Sequence, residues 1–122
     1  MGLSFGGYLA PRAASADRRL AACIADPGEY SLREELESRM PAFVARQLDG
    51  GSRLERITCP TLVCSAEKDE IGVTARKLFD ALTCEKEFVT FTAAEGAGTH
   101  CESGARAVFN RRALDWLDRV LG

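Results

Sequence analysis

What this chain lacks narrows it quickly. Its 122 residues hold one histidine, His100, and no two of its five cysteines are spaced C-x-x-C. A Cys/His zinc site needs more ligands at closer spacing than this. The cysteines, Cys23, Cys59, Cys64, Cys84 and Cys101, are odd in number, and reduced thiols in a cytoplasmic protein are the simplest reading. Positive charge is also scarce. Sixteen basic against eighteen acidic residues leave a net charge of −2, and the arginines cluster only as the pairs Arg18-Arg19 and Arg111-Arg112. Such a balance argues against a nucleic-acid or anionic-membrane partner. No apolar run approaches membrane-spanning length. The opening Met1-Gly2-Leu3 is not the basic-then-apolar start of a secretory leader, so no signal peptide is expected. No phosphate loop is present, and Gly96-Ala97-Gly98 does not follow a strand at dinucleotide-site spacing. No cofactor is therefore expected.

What is present is ordinary in bulk. Hydrophobic residues make up 46% and charged residues 28%, enough for one domain with a modest core. Strand-like and helix-like runs alternate. Residues 5–16 read as a helix. Leu20 to Ala25 reads as a short buried strand, closed by the turn Asp26-Pro27-Gly28. Ser31-Leu32-Arg33-Glu34 has the form of a capping box, and Leu32, Leu36 and Met40 follow at spacing four. Pro41 interrupts that helix, Phe43, Val44 and Leu48 continue its apolar face, and Gly50-Gly51 ends it. Thr61 to Ser65 is a second strand, Val73 to Leu82 a helix and Phe88 to Phe91 a third strand. The loop from Ala93 to Ser103 holds His100. A last helix runs from Ala105 to Leu121 with Phe109, Ala113, Trp116 and Val120 as its stripe. This alternation predicts an α/β fold, a parallel sheet with flanking helices.

The chemistry is concentrated in three places. Gly2-Leu3-Ser4-Phe5-Gly6 matches G-x-S-x-G, in which a serine sits on a sharp strand-to-helix turn with its hydroxyl exposed. Small residues two before and two after the serine would let strand and helix pass closely. The helix starting after it would aim backbone N–H groups at a developing oxyanion, with the N–H of Phe5 as one donor of the oxyanion hole. A serine nucleophile needs a base, and the base needs an acid to orient it. His100 is the one histidine. Asp69, just past the strand at 61–65, is the leading acid, with Asp26 at the preceding strand end as its rival. Ser4, Asp69 and His100 would then all lie at carboxyl ends of parallel strands, where ligands bind in open α/β sheets. Cys101, beside His100, offers a thiol alternative with a weaker sequence signal.

These segments resemble the carboxyl-terminal half of an α/β-hydrolase, nearest the prolyl-oligopeptidase-like and dipeptidyl-aminopeptidase-like branch. The resemblance rests on Phe5-Gly6-Gly7-Tyr8 after the serine and on Cys59-Pro60-Thr61-Leu62-Val63 leading to Glu67-Lys68-Asp69. It also rests on Gly96-Ala97-Gly98-Thr99-His100-Cys101-Glu102 and on Trp116-Leu117 in the last helix. It covers essentially the whole chain. It implies Ser4 as nucleophile, Asp69 as acid and His100 as base, without cofactor or metal. The substrate would be a small-molecule ester, amide or ketone, since such relatives include esterases, peptidases and carbon–carbon bond hydrolases. Residues 1–122 would be the carboxyl-terminal part of a catalytic domain, its last three strands and their helices, with 29–56 a lid-like or connecting helical segment. Met40 and Phe43 would face either a substrate or, as the simpler reading, the sheet.

Only three residues precede Ser4, where the family has several strands and a loop giving the second oxyanion donor. Residues 1–4 are therefore expected to be loose, and the strand at 20–25 to present an open edge. Two outcomes follow: a serine hydrolase part, truncated and weakly active or inactive alone, or a non-catalytic α/β module. The module would dimerise or bind a partner through that edge, and the chain as a whole would be a homo-oligomer or associate with a missing amino-terminal half.

Overall fold

The computed structural model describes residues 1–33, 41, 43–44 and 53–122. The elements at Glu34, Leu36, Met40, Leu48 and Gly50-Gly51 expected from the sequence lie outside the described residues. Four strands form one parallel sheet: β1 (Gly2–Leu3), β2 (Cys23–Asp26), β3 (Thr61–Ala66) and β4 (Lys86–Phe91), in the spatial order β1-β2-β3-β4. The helices are α1 (Phe5–Ala16), α2 (Ala75–Ala81) and α3 (Arg106–Leu121).

The two central strands are built mostly from small or apolar buried residues because both of their faces are covered. Side chains alternate across a strand, and here each alternate set meets a different core. Cys23 and Ala25 of β2 and Val63 of β3 pack with Ala14 of α1, Leu54, Ile57 and Leu78 of α2. Ile24, Leu62, Cys64 and Ala66 point the other way and pack with Phe91, Ala97, Phe109, Ala113 and Trp116. The result is a three-layer sandwich, with α1 and α2 on one face and α3 on the other.

The main departures from the sequence reading lie at element ends. Strand β2 starts at Cys23, and Leu20 is 40% exposed. Residues 72–74 form a tight 3-10 turn before α2 instead of its first turn. Residues 1–4 are not loose. Gly2 and Leu3 pair in register with Ala25 and Asp26, so a fourth, two-residue strand stands in front of the serine and β1, not β2, forms the sheet edge. The backbone of β2 supplies the template, since an open strand edge pairs with whatever extended chain lies beside it. Phe43 is 66% exposed, against the reading that it packs on the sheet.

Candidate active site

Ser4 is the single residue between β1 and α1. Its φ of 53° is positive and its ψ of −125° lies outside the left-handed helical well, a sparsely populated conformation that costs a non-glycine residue about 1–3 kcal/mol. Backbone hydrogen bonds on both sides hold it there. The Ser4 N–H donates to the Asp26 carbonyl at 2.7 Å, and the Gly7 N–H donates to the Ser4 carbonyl at 2.6 Å. A Cβ on Gly2 would fall on the Gly6 carbonyl, and a Cβ on Gly7 on the Pro27 carbonyl, whereas Gly6 has open space. The need for smallness thus falls on Gly2 and Gly7. Gly6 contributes the backbone that crowds Gly2, which corrects the symmetric expectation from the motif.

Asp69 follows β3 in a turn closed by its own N–H to the Ala66 carbonyl at 3.1 Å. Its side chain is 1% exposed, and its Oδ1 accepts the Ile71 N–H at 2.9 Å. This turn is tied to the histidine loop. The Lys68 N–H donates to the Gly98 carbonyl at 2.7 Å, and the Glu67 carboxylate accepts the Ala93 N–H at 2.7 Å. The acidic run Glu67-Lys68-Asp69-Glu70 is therefore not merely a solvated stretch.

His100 stands between the other two. Its Nδ1 lies 2.9 Å and 3.1 Å from the two Asp69 oxygens, and its Nε2 lies 2.9 Å from Ser4 Oγ. A nitrogen facing two carboxylate oxygens must carry the proton, which assigns Nδ1–H and leaves Nε2 to accept the Ser4 hydroxyl. The ring is 31% exposed, so a substrate can approach the side that carries Ser4. Phe5 opens α1 beside it. The first N–H groups of a helix have no intrahelical acceptor.

The rival residues are placed differently. The Asp26 carboxylate lies 3.4 Å from Arg106 Nη1 and contacts Glu102, while Asp69 is the carboxylate that hydrogen-bonds His100. Cys101 Sγ is 3.5 Å from His100 Nε2 and donates to the Asp26 carbonyl at 3.6 Å. Burial, reinforced by the negative charge of Asp26, pushes its thiol up to about 11. That is the reverse of the depressed value a thiolate nucleophile requires.

Glu102 and Arg106 were not singled out by sequence reasoning. Glu102 is fully buried and left-handed in its backbone, with φ of 48°, directly after Cys101 at 50°. The one available signal was the i,i+4 spacing of Glu102 and Arg106, which is common on solvated helix faces. Among the described residues no group of three or more His, Cys, Asp or Glu is arranged to hold a metal ion, and no helix is long and apolar enough to cross a membrane. A cavity of about 390 Å³ lies between β4 and α3, lined by Glu87, Val89, Arg112 and Asp115 among others. It shares no residue with the Ser4 site.

No family model matches the chain, and no curated protein matches it significantly. A solved structure does. The crystal structure of 2,6-dihydroxy-pseudo-oxynicotine hydrolase aligns with a TM-score of 0.73 and 25% sequence identity, covering 98% of this chain and 39% of that one. This chain thus spans about two fifths of the matched chain's length. Its four parallel strands and flanking helices are a partial match to an α/β-hydrolase.

Proposed function

We propose that this chain carries the Ser-His-Asp machinery of a serine hydrolase, with Ser4 as nucleophile, His100 as base and Asp69 as acid. The observation that carries the reading is the continuous hydrogen-bond line from Asp69 through His100 to Ser4, with both histidine contacts at 2.9 Å. In this reading Ser4 Oγ attacks a carbonyl carbon while its proton passes to His100 Nε2. Asp69 holds the ring tautomer and stabilises the imidazolium. The oxyanion forms at the start of α1, where the Phe5 N–H donates to it. His100 then returns the proton to the leaving group, and a water molecule repeats the sequence to release the acyl group from Ser4. The substrate is a small molecule with an ester, amide or ketone carbonyl, in keeping with the small-molecule hydrolase whose structure matches. The loop and helix motifs support placing the chain nearest the prolyl-oligopeptidase-like branch.

The test is hydrolysis of a chromogenic short-chain ester by the purified chain. The reading expects turnover that Ser4→Ala and His100→Ala both abolish. Turnover unchanged in either variant contradicts it.

A second reading, a module that pairs through its sheet edge, is favoured by apolar exposure around β1. Met1 is 70% and Leu3 40% exposed, on a strand with one side unpaired. It expects a dimer in sedimentation that Leu3→Lys dissociates, and no ester turnover.

A further inference from the structure

Behind the histidine turn lies a group of charges that the hydrolytic steps above do not use. Asp26, at the end of β2, is 1% exposed, and Glu102, two residues after His100, is fully buried. Their carboxyls are in direct side-chain contact. Arg106 Nη1 lies 3.4 Å from Asp26 Oδ2 and 3.4 Å from Glu102 Oε2. Among the described residues no donor reaches Asp26 Oδ1 or Glu102 Oε1. Two carboxylates in contact, out of water, with one guanidinium between them carry one negative charge too many. Like-charged carboxyls at such a site cannot both ionise, and the balance is restored by one proton held between them. Buried polar atoms are satisfied in folded chains, and that proton supplies the donor that is otherwise missing.

The pair also joins the two halves of the site. The Asp26 backbone carbonyl holds the Ser4 N–H at 2.7 Å and accepts the Cys101 thiol. Arg106 Nη1 donates to the Cys101 carbonyl at 2.9 Å, and the Arg106 Cζ lies 4.3 Å from the Phe109 ring centre. Cys101 and Glu102 are both left-handed, a strained turn that persists only where its surroundings over-determine it. We propose that Asp26 and Glu102 share one proton and, with Arg106, form a positioning brace that holds the His100 turn against the Ser4 elbow. Its effect on reactivity rests on the serine-hydrolase reading, but the brace itself does not.

The groups facing the pair agree with this assignment. Burial is the leading influence on both acids and raises both. The negative charge of Asp26, and then the hydrogen bond to it, raise Glu102 further, to about 8, and the same bond and Arg106 favour charge on Asp26. Asp69, from the loop after β3, adds a raising influence on Glu102, and His100 a lowering one on Asp26. Cys64 of β3 and Cys101 also face the pair, and its negative charge helps keep both thiols protonated. The shared proton thus leans toward Glu102. Its loss at higher pH sets two bare carboxylates against each other and loosens the turn.

Two readouts on the full chain test the brace. Carbon-13 NMR titration of the glutamate side-chain carboxyls should show Glu102 titrating near pH 8, and at lower pH in Asp26→Asn, where burial alone still holds it above the ordinary glutamate range. The second readout is the downfield His100 Nδ1–H proton resonance, which reports the Asp69 hydrogen bond without requiring catalysis. In the unsubstituted chain it should fade as Glu102 ionises. In Glu102→Gln, which keeps a donor toward Asp26 but cannot ionise, it should persist to higher pH. Titration of Glu102 in the ordinary range in the unsubstituted chain, or identical pH profiles of the resonance in both chains, overturns the proposal. Absence of ester turnover would count against the hydrolase reading and leave both NMR outcomes decisive for the brace.

Discussion

His100 Nε2 stands 2.9 Å from Ser4 Oγ, although 96 positions separate the two residues. The sheet delivers that contact. Parallel strands in register, with Leu3 beside Asp26 and Ala66 beside Phe91, end at one edge, so the turns after β1, β3 and β4 converge there. The reach of each side chain is set by backbone that is itself fixed, by the Asp26 carbonyl at Ser4 and by the Gly98 carbonyl at the Asp69 turn.

Asp69→Asn tests the orienting role within that line. An amide in place of the carboxylate presents an N–H as well as an oxygen, and can hold the ring in the wrong tautomer. The expected result is an unchanged fold by circular dichroism and ester turnover reduced by roughly four orders of magnitude, the scale of that substitution where a triad operates.

The two motif glycines should respond in opposite directions. Gly2→Ala sets a methyl group on the Gly6 carbonyl, and overpacking of this kind costs about 1–3 kcal/mol. Gly6→Ala meets open space within α1 and should be neutral or stabilising by up to about 1 kcal/mol. Thermal denaturation of the two variants separates them by sign.

Phe109 anchors the α3 side of the core, 1% exposed and 5.8 Å from the Phe91 ring. Phe109→Ala should cost about 3–5 kcal/mol, a large share of the stability of a chain this size. Urea denaturation should show the midpoint falling sharply or no folded baseline at all.

Stability should fall with rising pH through the range set by Glu102. An acid whose value is raised in the folded chain binds more protons folded than unfolded. Its contribution is complete below the unfolded value and is lost as pH climbs through the folded one. For Glu102 that window runs from its ordinary 4.5 to about 8, and Asp26 is shifted in the same direction. Within the window the slope from one such group approaches about 1.4 kcal/mol per pH unit. Urea denaturation at a series of pH values should show the decline in the unsubstituted chain and a shallower one in Glu102→Gln.

The sequence was most legible where pattern and local chemistry coincide. Thr61 to Ser65 reads as a strand because Leu62, Val63 and Cys64 make a short apolar run after Cys59-Pro60, and the structure extends it to Ala66. The span of α1 follows from the elbow, and α3 from its stripe of Phe109, Ala113 and Trp116. Strand β1 was not legible, because two residues carry no periodicity and their pairing depends on β2. The brace was hidden for a related reason. Nothing in the order Glu102-Ser103-Gly104-Ala105-Arg106 announces a buried pair, since its partner Asp26 lies 76 to 80 positions away and only two consecutive left-handed residues turn Glu102 inward. Ser4, Asp69 and His100 were legible as candidates from residue type, order and strand-end position, while their separations needed coordinates. The asymmetry between Gly2 and Gly6 also needed them, because the motif spells both positions alike.

If Ser4, His100 and Asp69 work as one nucleophilic unit, a covalent serine-hydrolase probe should be captured on Ser4. The purified, folded chain is incubated with a fluorophosphonate probe, and the modified residue is mapped by mass spectrometry of its peptides. A single adduct on Ser4 is expected, lost in His100→Ala and retained in Cys101→Ser. An adduct on Cys101, labelling of Ser4 that survives His100→Ala, or no adduct on a folded sample would contradict it.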